Sequence, residues 1–258
     1  MKRLLQIEFL KIKTYKTFWA VAALYALILI LFSGAAGKMQ ASLTDPTQTI
    51  FSFPEVWHNL AYMASYLNLL LGILIILLVC NEFTFRTFRQ NVVDGLSREE
   101  AVTAKFILIV AIALGCVAFI FIYGMIRGLS AGHFDHSQDI FSQTHYLLKL
   151  FVQMLGYMSV AALIAFFLKR SAISILLFLL YTVALERMLR LRIPDEIDRY
   201  LPMNVLTELV PAPGGVQLNF PGMETAPPLS PGILLILAIV YFLLCLTGAR
   251  LLMTRSNL

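Results

Sequence analysis

Six long runs of apolar side chains, separated by short polar stretches, set the pattern of this chain. They cover Thr17–Ala36, Leu60–Val79, Phe106–Ile126, Tyr146–Leu168, Ser171–Leu189 and Gly232–Leu252. A helix needs about 20 mostly apolar residues to cross about 30 Å of hydrocarbon, and each run meets that length. Backbone in lipid must satisfy its own hydrogen bonds, so all six are predicted to be helical. A membrane barrel would need shorter segments of alternating polarity, and the sequence has none. The expected fold is all-α, a polytopic membrane protein of six transmembrane helices forming a single transmembrane domain over residues 1–258.

Composition agrees with the pattern. Hydrophobic residues make up 59% of the 258 positions and charged residues 14%, with a mean hydropathy of +0.81. A soluble domain carries less apolar and more charged material, and a disordered chain needs low hydrophobicity. The three cysteines, Cys80, Cys116 and Cys245, all fall within or beside apolar runs, which excludes a disulfide-stapled secreted domain. The first run is expected to be retained, because its apolar stretch is longer than the core of a cleaved signal peptide.

Charge sets the orientation. With the N-terminus inside, 13 of the 20 Lys and Arg fall on inner segments and seven on outer ones. Acidic residues run the other way, five inside and ten outside. The side richer in Lys and Arg faces the cytoplasm, so both termini are expected there, in the cell inner (plasma) membrane.

Between the runs, two stretches are patterned as helices. In residues 1–16, Leu5, Phe9 and Ile12 share a face while Lys2, Lys13 and Lys16 occupy the rest, as in an amphipathic helix lying in the inner interface. A positive flank that only sets topology is the plainer reading. In residues 81–105, Phe85, Phe88 and Val92 recur at helical spacing, with Arg86, Arg89 and Gln90 opposite. Asp94-Gly95 is suited to stop that helix, and Ser97 with Glu100 three residues on forms a capping box that starts another. The pattern predicts helix, tight turn, helix; the alternative is a lipid-surface helix that anchors arginines.

The residues Glu82-Phe83, Thr87, Arg89-Gln90, Gly95 and Ser97-Arg98 resemble the pattern that follows the second span in type-2 ABC permeases, the membrane halves of one class of ATP-binding-cassette exporters. Glu8-Phe9-Leu10-Lys11-Ile12-Lys13 is similar to that family's elbow helix. The resemblance implies a coupling helix at residues 82–98 that docks on an ABC ATPase subunit. The ATPase-contacting residues it implies are Glu82, Arg86, Thr87, Arg89, Gln90, Gly95, Ser97 and Arg98, with Glu8 and Lys11 on the elbow helix. It further implies a second permease copy, the same chain or a related one, and membrane lipid as surroundings, with no nucleic acid. ATP and Mg would be bound by the partner ATPase, leaving no cofactor in this chain.

The loop from 190 to 231 holds eight of the ten prolines. Pro194 followed by Asp195, Glu196 and Asp198 reads as a helix start, and the resemblance places short re-entrant helices here. Glu186 has Arg187 beside it and Arg190 four residues on. It reads either as a structural ion pair at the outer interface or as a residue facing the substrate path.

Other chemistry is thin. Gly37-Lys38 is the nearest approach to a phosphate-binding loop, but Phe32 stands where its first glycine belongs and Met39 where Ser or Thr belongs. His133, Asp135, His136, Asp139 and His145 cluster on an outer loop, read either as solvated polar chain or as a divalent-metal site, with His133 and His136 the first ligands to test. H-E-x-x-H does not occur, and all four His lie outside the apolar runs, so an enzyme acting alone is not expected. Polar residues within the runs are few (Asn68, Gln153, Glu186), which favours a hydrophobic or amphiphilic cargo over an ion. The competing expectation is a membrane anchor that recruits a partner and moves nothing.

Overall fold

The computed structural model describes residues 13–43, 51–85, 87, 90, 97–130, 140–190, 192–193, 195–213 and 229–255. Among these the regular structure is helical and no strand occurs. In chain order the helices are α1 (Lys16–Leu43), α2 (Val56–Tyr66), α3 (Asn68–Thr84), α4 (Arg98–Ser130), α5 (His145–Leu168) and α6 (Ser171–Leu180). They continue with α7 (Glu186–Arg190), α8 (Asp195–Asp198), α9 (Pro202–Glu208) and α10 (Pro231–Arg255).

Among the described residues, four helices are long and apolar enough to cross a membrane: α1 over Lys16–Lys38, α4, α5 and α10 over Pro231–Thr254. A fifth crossing is available if α2 and α3 count as one span, bent by 46° at their junction. Of the six expected spans, four are met by single helices and a fifth by the bent pair, while the remaining one is only a short apolar helix, Ser171–Leu185. The bend falls at Leu67, where polar residues interrupt the run. The Ser65 hydroxyl there donates to the Tyr62 carbonyl at 2.7 Å, competing with the helix ladder. The expected fifth span stops being apolar at Leu185. Beyond α6 its backbone widens into a π turn over Tyr181–Leu185, then continues as α7, beginning at Glu186. The Thr182 hydroxyl donates to the Phe178 carbonyl at 2.8 Å just where the widening begins.

Helix α5 is the centre of the bundle. It packs against α2, α3, α4, α6, α9 and α10. Of its apolar stretch 67% is buried, against 17% for α1, 33% for α4 and 22% for α10. Its inner faces carry Ala161, Ala162 and Ala165 among Met154, Met158 and Phe166, all buried. Small residues let neighbouring helix backbones approach, the main source of packing energy where lipid is as apolar as leucine.

The same logic holds at Gly72 on α3. A side chain there would overlap the Phe178 ring of α6. Gly72→Val is expected to force that buried ring aside at a cost of about 1–3 kcal/mol. Urea titration of the purified chain in mixed micelles reads the change, and an unchanged midpoint would contradict the packing.

Candidate functional site

Networks of polar and aromatic contacts form at the two ends of the bundle, while Gln153 and Ser159 are buried midway along α5. At the end where α3 stops and α4 starts, five parts of the chain meet. Lys105 of α4 donates to Glu82 of α3 at 2.7 Å, and both residues are buried, at 5% and 8% exposure. Next to Glu82, the Asn81 amide donates to the Tyr15 hydroxyl at 2.6 Å, tying α3 to the chain entering α1. Lys169, which ends α5 in a left-handed conformation, places its ammonium 5.6 Å from the centre of the Phe83 ring. Arg98, at the start of α4, donates to the carbonyls of Met253 and Thr254 at 3.3 and 3.4 Å, the last turn of α10. Arg250 of α10 returns a bond to the Thr103 hydroxyl at 2.8 Å.

The start of α4 is held as its sequence predicts. The Ser97 hydroxyl accepts from the Glu100 N–H at 3.2 Å, while the Ser97 N–H and hydroxyl donate to Glu100 Oε2 at 3.1 and 2.9 Å. This is a reciprocal capping box.

Of the residues expected to face an ATPase, Thr87, Gln90, Ser97 and Arg98 lie with Glu82 among the described residues. Gln90 and Ser97 are exposed. Glu82 turns inward to Lys105 and Arg98 turns to α10, so both tie helices together. Thr87 hydrogen-bonds to the Glu82 carbonyl at 3.4 Å. Helix α3 ends at Thr84, and Phe85, expected on an apolar face, is 72% exposed. Glu8, Lys11, Arg86, Arg89 and Gly95, together with the body of the elbow helix, lie outside the described residues. The Lys105 partnership was missed from sequence. The available signal was an acid ending one apolar run and a base starting the next, both at the same membrane face.

The opposite end carries aromatic and polar contacts. Trp57 of α2 donates its ring N–H to the Ile140 carbonyl at 2.8 Å and stacks on Phe121 of α4 at 5.2 Å. The His58 ring stacks on Tyr146 at 3.8 Å, and its Nε2 lies 2.8 Å from the Pro211 carbonyl. Glu186 is 3% exposed and accepts from the backbone N–H groups of Met203 and Asn204. It therefore engages the start of α9, seventeen residues on, rather than standing at the bundle surface. No group of three or more metal-ligating side chains occurs among the described residues. His133, Asp135, His136 and Asp139 lie outside them.

The chain matches a family model described as ABC-2 family transporter protein over residues 4–185. No curated protein matches the chain. The matched range takes in Glu82, Arg98 and Lys105, but stops before Glu186 and before the α10 residues Arg250, Met253 and Thr254 that complete the junction.

Proposed function

This chain belongs to the ABC-2 transporter family, a multi-pass membrane permease subunit of an ABC transporter, and on that premise we propose that it is one half of an exporter driven by a separate ABC ATPase. Residues 82–98 form the coupling segment on which the ATPase docks, with Glu8 and Lys11 of an elbow helix beside it. Two permease copies enclose the substrate path, six spans each, in the cell inner membrane with both termini in the cytoplasm. ATP and Mg are held by the ATPase.

One observation carries this reading beyond the family match: the stretch bearing the coupling motif is wired at both ends into the bundle. Its leading end is tied through Asn81 to Tyr15 and through Glu82 to Lys105, and its trailing end through Arg98 to the last turn of α10. A push on the segment is thereby delivered to α1, α3, α4 and α10 together. For that push to move the permease, the ATPase must bind two permease states with different affinity.

The test is at Arg89, which the sequence pattern sets opposite Phe85, Phe88 and Val92. Charge-assisted hydrogen bonds at a partner surface are worth about 1.5–3 kcal/mol, so Arg89→Glu is expected to lower recovery of co-purified ATPase about tenfold or more at matched expression. The variant should remain folded and in the membrane. Equal recovery with wild type and variant would overturn the docking assignment and leave the membrane-anchor reading in its place.

A further inference from the structure

Arg127 is a cation in the last turn of α4, half-buried beside α1. A cation placed there eases the negative end of its own helix whichever way its side chain points. This one is drawn across to a neighbour. Its Nη2 donates to the Ser33 carbonyl of α1 at 3.4 Å, and the guanidinium lies 4.7 Å from the centre of the Phe51 ring. Its Nε is buried with no hydrogen bond, and no carboxylate pairs with it among the described residues. One long bond leaves a fork of five donors mostly unused. The surroundings are firmly built. Ser33 is buried, and its hydroxyl lies 2.6 Å from that of Tyr123, one turn before Arg127, which fixes α1 against α4. Gly37 gives the guanidinium its room, because a Cβ there would come 3.3 Å from Nη2. Lys38, the next residue, is exposed and ends the apolar span of α1. Two cations thus meet where two spans leave the hydrocarbon. Within the hydrocarbon, both helices turn large apolar side chains away from the bundle. Leu31 and Phe32 on α1 and Ile122 and Ile126 on α4 are each more than half exposed.

We propose that Arg127, assisted by Lys38, binds the phosphate of an anionic phospholipid in the leaflet at the end opposite the Glu82–Lys105 junction, with the acyl chains lying along α1 and α4. A guanidinium presents parallel N–H donors that match phosphate oxygens two at a time. The unused donors of Arg127 supply that match, and Lys38 favours a headgroup of net negative charge over a zwitterionic one. The apolar side chains commit the site to a lipid, since a free phosphate would gain nothing from them. A charge kept at the edge of a bilayer without a protein partner is expected to serve a ligand or a pathway, and here the ligand is the bilayer's own anion.

The experiment titrates the purified, delipidated full-length chain with phosphatidylglycerol and reads bound lipid by native mass spectrometry. Diacylglycerol with the same acyl chains and inorganic phosphate are run beside it. Wild type should hold phosphatidylglycerol about tenfold or more tightly than diacylglycerol, the yield of one charge-assisted pairing. Arg127→Gln should weaken phosphatidylglycerol binding about tenfold or more, and Arg127→Lys, which keeps the charge and loses the fork, should fall between. Lys38→Gln should weaken it about threefold, as befits an exposed cation. Lys149→Gln, which removes a cation at the same end but on α5, should change nothing. Equal binding of phosphatidylglycerol by wild type and Arg127→Gln overturns the site. Diacylglycerol bound as tightly as phosphatidylglycerol also overturns it, because the contact is then one that any lipid makes. Displacement of the lipid by millimolar inorganic phosphate overturns it too, in favour of a free-anion site. Should Arg127→Gln not fold, the comparison of the two lipids on the wild-type chain decides alone. The titration needs no ATPase, so its failure is distinct from a failure of the docking test at Arg89.

Discussion

Lys105→Met should destabilise the protein by about 3–5 kcal/mol, the cost of breaking a buried ion pair from one side. Methionine fills the channel that the lysine stem occupies, so little packing is lost. What changes is that the Glu82 carboxylate, 8% exposed, meets a thioether where it had an ammonium at 2.7 Å. Adding Glu82→Leu should restore most of the loss, because apolar replacement of both partners is often neutral or better. Denaturant unfolding in mixed micelles measures both steps. The double variant separates structure from mechanism. A pair that transmits the ATPase stroke leaves a stable double variant whose ATP hydrolysis no longer drives transport. A pair that only holds α3 to α4 leaves transport unchanged, and that result would remove Glu82 and Lys105 from the coupling route.

At the other end of the bundle, Trp57→Ala should cost about 3–5 kcal/mol, the usual range for emptying a large aromatic site. Trp57 is fully buried, stacks on Phe121, and satisfies the Ile140 carbonyl. Its partner in sequence terms is invisible: Gly124 of α4, where an added Cβ would come 2.8 Å from Trp57 Cζ3. Gly124→Ala alone should therefore cost about 1–3 kcal/mol by displacing the indole. Placed on Trp57→Ala, the same methyl enters vacated space and should cost nothing or recover part of the loss. Residues in contact commonly couple by about 0.5–3 kcal/mol, well above the error of a thermal or denaturant cycle. Strict additivity of the two changes would contradict the contact.

The contrast between Gly124 and Ser97 explains how much was legible in the sequence. A capping box is local chemistry, complete within four residues, and the Ser97–Glu100 bonds are those the spacing predicts. The apolar runs are equally local, since lipid demands length and composition and little else. Legibility ends where a helix departs from regularity. Neither the 46° bend at Leu67 nor the π turn at Tyr181–Leu185 follows from hydropathy, because Ser65 and Thr182 act by diverting backbone carbonyls. Partners far apart in sequence are hidden for a different reason. Helix spacing pairs Glu186 with Arg190, yet its carboxylate accepts from the N–H groups of residues 203 and 204, and a backbone donor leaves no mark in the sequence. Pro202, at the first position of α9, marks where that helix begins. For the site itself, the motif drew attention to residues 82–98, while the inward turn of Glu82 and Arg98 needed the third dimension.

Helix α4 has one more consequence. At about 1.5 Å per residue its 33 residues extend about 50 Å, well beyond the hydrocarbon of a bilayer. Lys105 and Arg127, two of its three cations, are about 33 Å apart along the axis and match the two edges of the oily slab. The turns before Lys105 then project past the slab as a post held against the bundle by buried Ala101, Val102 and Ala104, with Ser97 and Glu100 about 10 Å above the lipid tails. A protein arriving from that side meets the post at headgroup height and need not displace lipid to reach it. Thickening the bilayer would sink the post, so association should weaken as lipid chains lengthen.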